Sequence, residues 1–208
     1  MDNINEVGCV AVGDELKALQ DMSLEELWQL FPIVLQKHNP DYAMWYSSEE
    51  ESLIDLLRDF NICRINHIGS TAVAGLIAKP IVDILLELPA TYDVNAVAQL
   101  LQNNGWIIMQ QDDMQKTIDL NKGYTTNGFA DKVYHLHIRP VGDWGELYFR
   151  DYLRCNPDAA RQYEALKLSL KEQFEHNRDA YTDAKSDFII AHTQKARKIF
   201  CGRYWKPA

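Results

Sequence analysis

The stretch IVDILLEL, residues 81–88, limits the fold of this chain more than any other segment. Its near-continuous apolar run is that of a strand covered on both faces of a sheet. One carboxylate, Asp83, interrupts it. An unpaired buried carboxylate is costly or changes its pKa, so Asp83 is paired, metal-bound or close to solvent. Two readings follow. Either Asp83 is a strand-end group satisfied by Lys79 or a backbone amide, or it faces a site built with His67, Gly69, Ser70 and Lys79.

The rest of the chain supplies partners for such a strand. Before it, ICRINHIG alternates apolar and polar side chains and reads as a strand that turns at Gly69-Ser70. After it, VNAVAQLLQNNG predicts a helix closed by Gly105, then strands at WIIMQ, KTIDL and KVYHLHI, the last with period-2 alternation. Upstream, Ser23 to Glu26 is a capping box opening a short helix that Pro32 ends. IVLQKH is expected as a strand, and a second capping box, Ser48 to Glu51, as the start of a helix through Leu53, Leu56, Leu57 and Phe60. From about residue 143 the pattern is helical: Gly145 to Arg154, a helix capped by Asn156-Pro157, and a third from near Thr182 carrying Phe188, His192, Ala196, Ile199 and Phe200.

The expected fold is therefore α+β, a mixed sheet with flanking helices and a helical C-terminal part. Residues 1–30 read as an N-terminal arm and short helix, and 31–208 as the domain proper. A length of 208 residues fits that organisation. A net charge of −9 argues against a general grip on nucleic acid and favours small molecules or a specific protein partner. The four cysteines show no CxxC pairing, no basic start precedes an apolar run, and no stretch approaches the ~18 apolar residues of a membrane helix. A cytoplasmic protein without a membrane segment is the expectation.

Several residues are candidates for chemistry. Gly69-Ser70, between a strand and a short helical turn, leaves backbone N–H groups free to meet an anion, although most Gly-Ser pairs are plain turns. His135 and His137 emerge on one strand face about 7 Å apart and can share a metal or a phosphate, or be hydrogen-bonded members of a half-buried face. Arg150 and Arg154 lie on one helix face and can clamp a phosphate, with Lys185 and Lys167 as further cations; the alternative is ion pairing with Asp151, Glu164 and Asp187. Glu87 reads as a solvated strand end.

Taken in order, HIGSTAVAGLIAKPIVDIL, HLHI, WGELYFRDYLR, the A-x-x-Y-x-x-L-K spacing from Ala160 to Lys167, and YTDAKSDFI strongly resemble the GrpB family, from about Phe31 to about Arg197. Ala74 departs from the proline that family members commonly carry. The family is similar to the nucleotidyltransferase superfamily, whose hallmark is Gly-Ser followed by Asp-x-Asp on the next strand and a third carboxylate beyond. The resemblance implies that Gly69 and Ser70 cradle phosphate and that Asp83 is the first carboxylate. Leu85 stands at the second, and the HLHI strand matches the third. On this basis Ser70, Asp83, His135 and His137 are expected as catalytic residues. Asp83, His67, His135 and His137 are the expected ligands of Mg²⁺ or another divalent ion. Gly69, Ser70, Lys79, Arg150, Arg154 and Lys185 are the expected anion site. The ligand implied is a nucleotide or phosphorylated metabolite. Three readings stay open: metal-dependent nucleotidyl or phosphoryl transfer to a small acceptor, a binding module that lost catalysis with its second carboxylate, and a structural or regulatory partner.

Overall fold

The computed structural model describes residues 18–205. Of the expected N-terminal arm and short helix, residues 1–17 lie outside them. The capping box forms as the sequence predicts: Ser23 Oγ accepts the Glu26 N–H at 3.2 Å, and a Glu26 carboxylate oxygen accepts the Ser23 N–H at 2.6 Å. It opens α1, Leu24–Leu30.

Two expectations for the next segment are corrected. IVLQKH is not a strand. It makes one isolated bridge, Gln36 with Ala78, while the Ile33 N–H is taken by the Glu175 carbonyl. Its backbone is divided between two neighbours, so no ladder propagates. The helix that follows, α2, runs Tyr42–Leu56, which puts Ser48 in its interior. The punctuation at Asn39-Pro40-Asp41 starts it, with Asn39 Oδ1 accepting the Asp41 N–H at 3.0 Å. The buried face begins with Tyr42 and continues through Glu49 and Leu53, so the periodicity extends further upstream than the capping pattern suggested.

Five strands, β1 (Arg64–Ile68), β2 (Ile81–Leu88), β3 (Ile107–Asp112), β4 (Thr117–Thr125) and β5 (Gly128–Pro140), form one mixed sheet in the order β1-β2-β5-β4-β3. Only β2 and β5 are parallel. Central β2 is thus flanked on both sides, as its apolar run requires.

Alternation along the strands sorts the side chains onto two faces. Val82, Ile84, Leu86 and Leu88 of β2 join Tyr134, Leu136 and Ile138 of β5 against α2 and α3 (Val94–Gln102). That face is the main core, and each fully buried aliphatic side chain there contributes about 1.5–3 kcal/mol. The opposite face carries Asp83, Leu85 and Glu87 of β2. Leu85 is covered by Ile68 and by Leu147 of α4, Gly145–Cys155.

Glu87 is not a solvated strand end. It is fully buried, and Arg64, opposite it in the register, grips both oxygens, one of them at 2.7 Å, while Oε1 also accepts the Gly142 N–H at 2.9 Å.

The C-terminal part is helical as expected. Asn156 Oδ1 caps α5 (Pro157–Phe174) by accepting the Ala159 N–H. The helix expected from Thr182 is two helices, α6 (Arg178–Asp183) and α7 (Ser186–Ile199). Asn177 caps α6 through the Ala180 N–H, starting it earlier than the apolar spacing indicates. Lys185 therefore sits at the N-cap of α7, in the joint between the two helices. Ala196 and Phe188 pack into a cluster with Tyr148 and Tyr152 of α4, whereas Ile199 is exposed.

Candidate anion site

The site begins where β1 ends. Gly69 has φ +69° and ψ −170°, a region open essentially to glycine alone. A Cβ at this position would also collide with the Asp83 carboxylate, so the backbone of the turn lies directly against that side chain. Ser70–Ala72 then form a single 3-10 turn, and Thr71 fixes it by donating its hydroxyl to the Ile81 carbonyl at 3.0 Å.

Across the sheet, Asp83 pairs in register with His135 on β5, and their side chains meet, Nδ1 to Oδ1 at 3.0 Å. The other ring nitrogen, Nε2, lies 2.8 Å from the Tyr124 hydroxyl and 3.4 Å from the Arg178 guanidinium. A guanidinium only donates, so Nε2 is the acceptor and the His135 proton resides on Nδ1, directed at Asp83. Burial lowers the His135 pKa to about 4, with Arg178 and Lys79 acting in the same sense against the pull of Asp83, and the ring is neutral at pH 7. For Asp83, burial pushes the pKa upward, but the hydrogen bond from His135 and the nearby positive charge of Lys79 prevail and hold it below the usual range.

Cations crowd round this carboxylate. Lys167 is 3% exposed, with Nζ 3.3 Å from Ser70 Oγ and bonded to the Ile77 carbonyl. Lys79 and Lys185 both lie over the Tyr181 ring, at 5.7 Å and 4.4 Å from its centroid. Tyr163 shares a hydrogen bond with Ser70. Burial depresses all three lysines, Lys79 and Lys167 to about 7 and Lys185 to about 8; Lys185 adds to it at Lys79 and Lys167 and Arg178 at Lys79 and Lys185, against the pull of Asp83 on Lys79 and Lys185 and of Glu164 on Lys167. Four cationic side chains thus converge near a Gly-Ser turn, with Asp83 acting on Lys79 and Lys185 and Glu164 on Lys167. Such a site repels cations and is disposed to take an anion with more than one charge.

Of the residues expected from sequence, the structure gathers Gly69, Ser70, Lys79, Asp83, His135 and Lys185. His137 lies two residues along β5, its Nδ1 2.7 Å from Asp119 Oδ1. Three others lie elsewhere. His67 alternates with Ile68, the register partner of Asp83, and so projects to the opposite face; there it stacks on Tyr46 and bonds to Thr71. Arg150 is consumed by Asn66, the His67 carbonyl, Asp151 and Tyr204. Arg154 donates to the Ala72 carbonyl. Both arginines tie α4 to β1 and its following turn, because α4 packs directly on that edge of the sheet.

The donors do not suit a divalent ion. Mg²⁺ favours several oxygen ligands in an octahedron, and no group of three or more His, Cys, Asp or Glu positioned to hold a metal exists among the described residues. Asp83 is a single carboxylate hemmed in by positive charge. The next acid on its face, Asp119, stands two strands and one alternate residue away, on the order of 12 Å, against the roughly 4 Å spacing of two bridged metals. A cavity of about 580 Å³ opens near α2 and α3; its described cations are Arg58 and Lys122, and Lys122 is paired with Glu49.

Sequence reading missed Arg178, Tyr124 and Asp119. For Asp119 a signal existed, since Ile118-Asp119-Leu120 repeats the apolar–Asp–apolar pattern of Val82-Asp83-Ile84. Lys167, named from the sequence only as a further cation, lies between Tyr163 and Leu170 of the apolar helix stripe. Arg178 opens α6 in a polar stretch, His176 to Asp179, that offers no such signal.

A five-stranded mixed sheet with helices on both faces and a Gly-Ser turn beside an aspartate on the next strand defines a nucleotidyltransferase-like fold. A family model described as GrpB protein matches residues 32–195, and the chain belongs to the GrpB family. It is 36% identical over 152 residues to a UPF0157 protein of Pseudomonas aeruginosa, covering 73% of this chain and 62% of that one. It is 28% identical to the UPF0157 protein YqkA of Bacillus subtilis, covering 91% of this chain and 55% of that one. The chain therefore spans less than two thirds of the length of these two relatives. A crystal structure of a conserved protein GrpB from Enterococcus faecalis superposes with a TM-score of 0.69 at 28% identity, covering 80% of this chain and 99% of that one. A weaker likeness, 24% identity over 69% of this chain, links it to 41% of a dephospho-CoA kinase of Mycolicibacterium paratuberculosis.

Proposed function

We propose that the protein binds the phosphate group of a nucleotide or phosphorylated metabolite in the cradle formed by Gly69, Ser70, Lys79, Lys167, Arg178 and Lys185. The observation that carries this reading is the excess of positive charge: Lys79, Lys185 and Arg178 gather round Asp83, and Lys167, whose nearby acid is Glu164, reaches Ser70 beside them, the three lysines all depressed by burial. A multiply charged anion relieves that repulsion, and lysine and arginine are its natural donors. The dephospho-CoA kinase likeness is in keeping with a nucleotide-like ligand.

Metal-dependent nucleotidyl transfer through Asp83 is the second reading. Its support is the position of Asp83 after the Gly-Ser turn, where the superfamily places its first carboxylate. Thermal stability in the presence of inorganic pyrophosphate and the common nucleoside triphosphates, with and without Mg²⁺ or Mn²⁺, separates the two. The proposal predicts metal-independent stabilisation that is lost in Lys167→Met. Stabilisation only with the metal ion would favour the second reading instead, and no stabilisation under any condition would contradict both.

A further inference from the structure

The face that holds the cradle carries a second group of side chains outside it. Asp119 on β4 and His137 and Arg139 on β5 project there with Asp83 and His135, as the register requires. Arg139 Nη2 holds Asp119 Oδ1 at 2.6 Å, and the same oxygen lies 2.7 Å from His137 Nδ1. A carboxylate gripped by a guanidinium accepts only, so His137 donates from Nδ1. Its Nε2 is then the lone-pair nitrogen, and no residue among those described hydrogen-bonds to it. His137 and Asp119 side chains are each 29% exposed, so this nitrogen is within reach of solvent. His135 differs, because both of its nitrogens are engaged.

A histidine oriented by a carboxylate, itself held by a third group, is the arrangement of an activated general base. Alternate residues on one strand face stand about 7 Å apart, and His135 touches Asp83 at the cradle. An acceptor oxygen held by His137 Nε2 would approach a phosphorus bound at the end of the cradle where Arg178 meets His135.

We propose that His137, held by Asp119 and Arg139, is the general base of a phosphoryl- or nucleotidyl-transfer reaction on the phosphate ester bound in the cradle, with a hydroxyl compound or water as acceptor. The inference rests on the anion-site reading above. His137 Nε2 takes the proton of the acceptor hydroxyl as its oxygen forms the bond to phosphorus. The bond from phosphorus to the leaving oxygen breaks, and its electron pair stays on that oxygen. For a nucleoside triphosphate attacked at the α-phosphorus, the leaving group is pyrophosphate, neutralised by the cradle cations; the imidazolium returns its proton to water. Asp119 is a positioning residue, fixing the tautomer and the ring direction.

The test follows nucleoside monophosphate and pyrophosphate formation by phosphorus-31 NMR, with the common nucleoside triphosphates and water as acceptor. Wild type is compared with His137→Gln, His137→Ala and Asp119→Asn. The proposal predicts product from the wild type and at least ~100-fold less from His137→Gln. It also predicts recovery of His137→Ala by added imidazole, and a fall in kcat at unchanged KM in Asp119→Asn. All variants keep nucleotide-dependent thermal stabilisation. No product from a wild type that the nucleotides do stabilise, or equal turnover by His137→Gln, overturns the proposal and leaves the cradle standing. Absence of stabilisation in every protein overturns the cradle reading itself, and this inference with it.

Discussion

His135 Nδ1 and Asp83 Oδ1 lie 3.0 Å apart on adjacent parallel strands, and the Arg178 guanidinium at the far ring nitrogen dictates which of the two carries the proton. Asp83 is thus held by a neutral donor while cations surround it. Its role is to let Lys79 and Lys185 approach each other, since its charge raises the pKa of both. In the proposed anion site, Asp83 is the counter-charge.

A methyl group at Gly69 meets Asp83, whereas one at Gly75 meets nothing although φ there is also positive, +78°. Gly75→Ala is predicted to cost about 1 kcal/mol from backbone strain alone. Gly69→Ala adds a steric conflict with the carboxylate and should cost about 2–3 kcal/mol or more. Paired urea denaturations check the difference; equal losses would contradict the close approach of turn and carboxylate.

The depressed lysines make stability and binding run in opposite directions with pH. Burial pushes Lys79 and Lys167 down to about 7 and Lys185 to about 8, each from the ordinary lysine value of 10.5. Between about 7 and 10.5 the unfolded chain holds more protons than the folded one, so the ligand-free protein gains stability as pH rises through that window. Pyrophosphate affinity should fall over the same window as the lysines lose charge. Calorimetry at pH 8 in buffers of different ionisation enthalpy is expected to show proton uptake on binding.

Lys167→Met removes a charge from a site 3% exposed while keeping an apolar stem of similar length. Burying a charge opposes folding, so Tm is predicted unchanged or higher, while pyrophosphate binding weakens at least tenfold. A variant that is destabilised but binds normally would make Lys167 a purely structural lysine.

Glu87→Gln provides the converse. It disrupts the buried pair with Arg64 and the bond from Gly142. Removing one partner of such a pair costs about 3–5 kcal/mol. Anion binding by the folded protein should not change, because Glu87 lies four residues along β2 from the cradle. Chemical denaturation and a pyrophosphate titration of the same sample test both halves.

Much of the fold was legible because it rests on local pattern: the Ser23–Glu26 box, the apolar β2, the alternating β5 and the Asn156-Pro157 cap all appear where the residues say. IVLQKH failed because a strand needs a neighbour, and its backbone groups are claimed by Ala78 and Glu175 instead. Ser48 failed because a capping pattern inside a continuing apolar periodicity carries no terminus. In the site, Gly69, Ser70 and Asp83 are close in sequence and were readable. Arg178 and Lys167 enter from helices some 90 residues away, and only packing brings them in. His67 shows the limit of adjacency: it is two residues from Gly69 yet faces the other side of the sheet, since parity along a strand overrides proximity.

The most direct test of the anion site is a calorimetric titration of wild type and Asp83→Asn with inorganic pyrophosphate at pH 7, with and without Mg²⁺. Removing the carboxylate removes the negative charge that competes with an anion for Lys79 and Lys185, so the account predicts tighter, metal-independent binding by Asp83→Asn despite a loss of about 1–3 kcal/mol in stability from the broken hydrogen bond. Binding that needs Mg²⁺ in the wild type and disappears in Asp83→Asn would contradict it, and would make Asp83 a metal ligand.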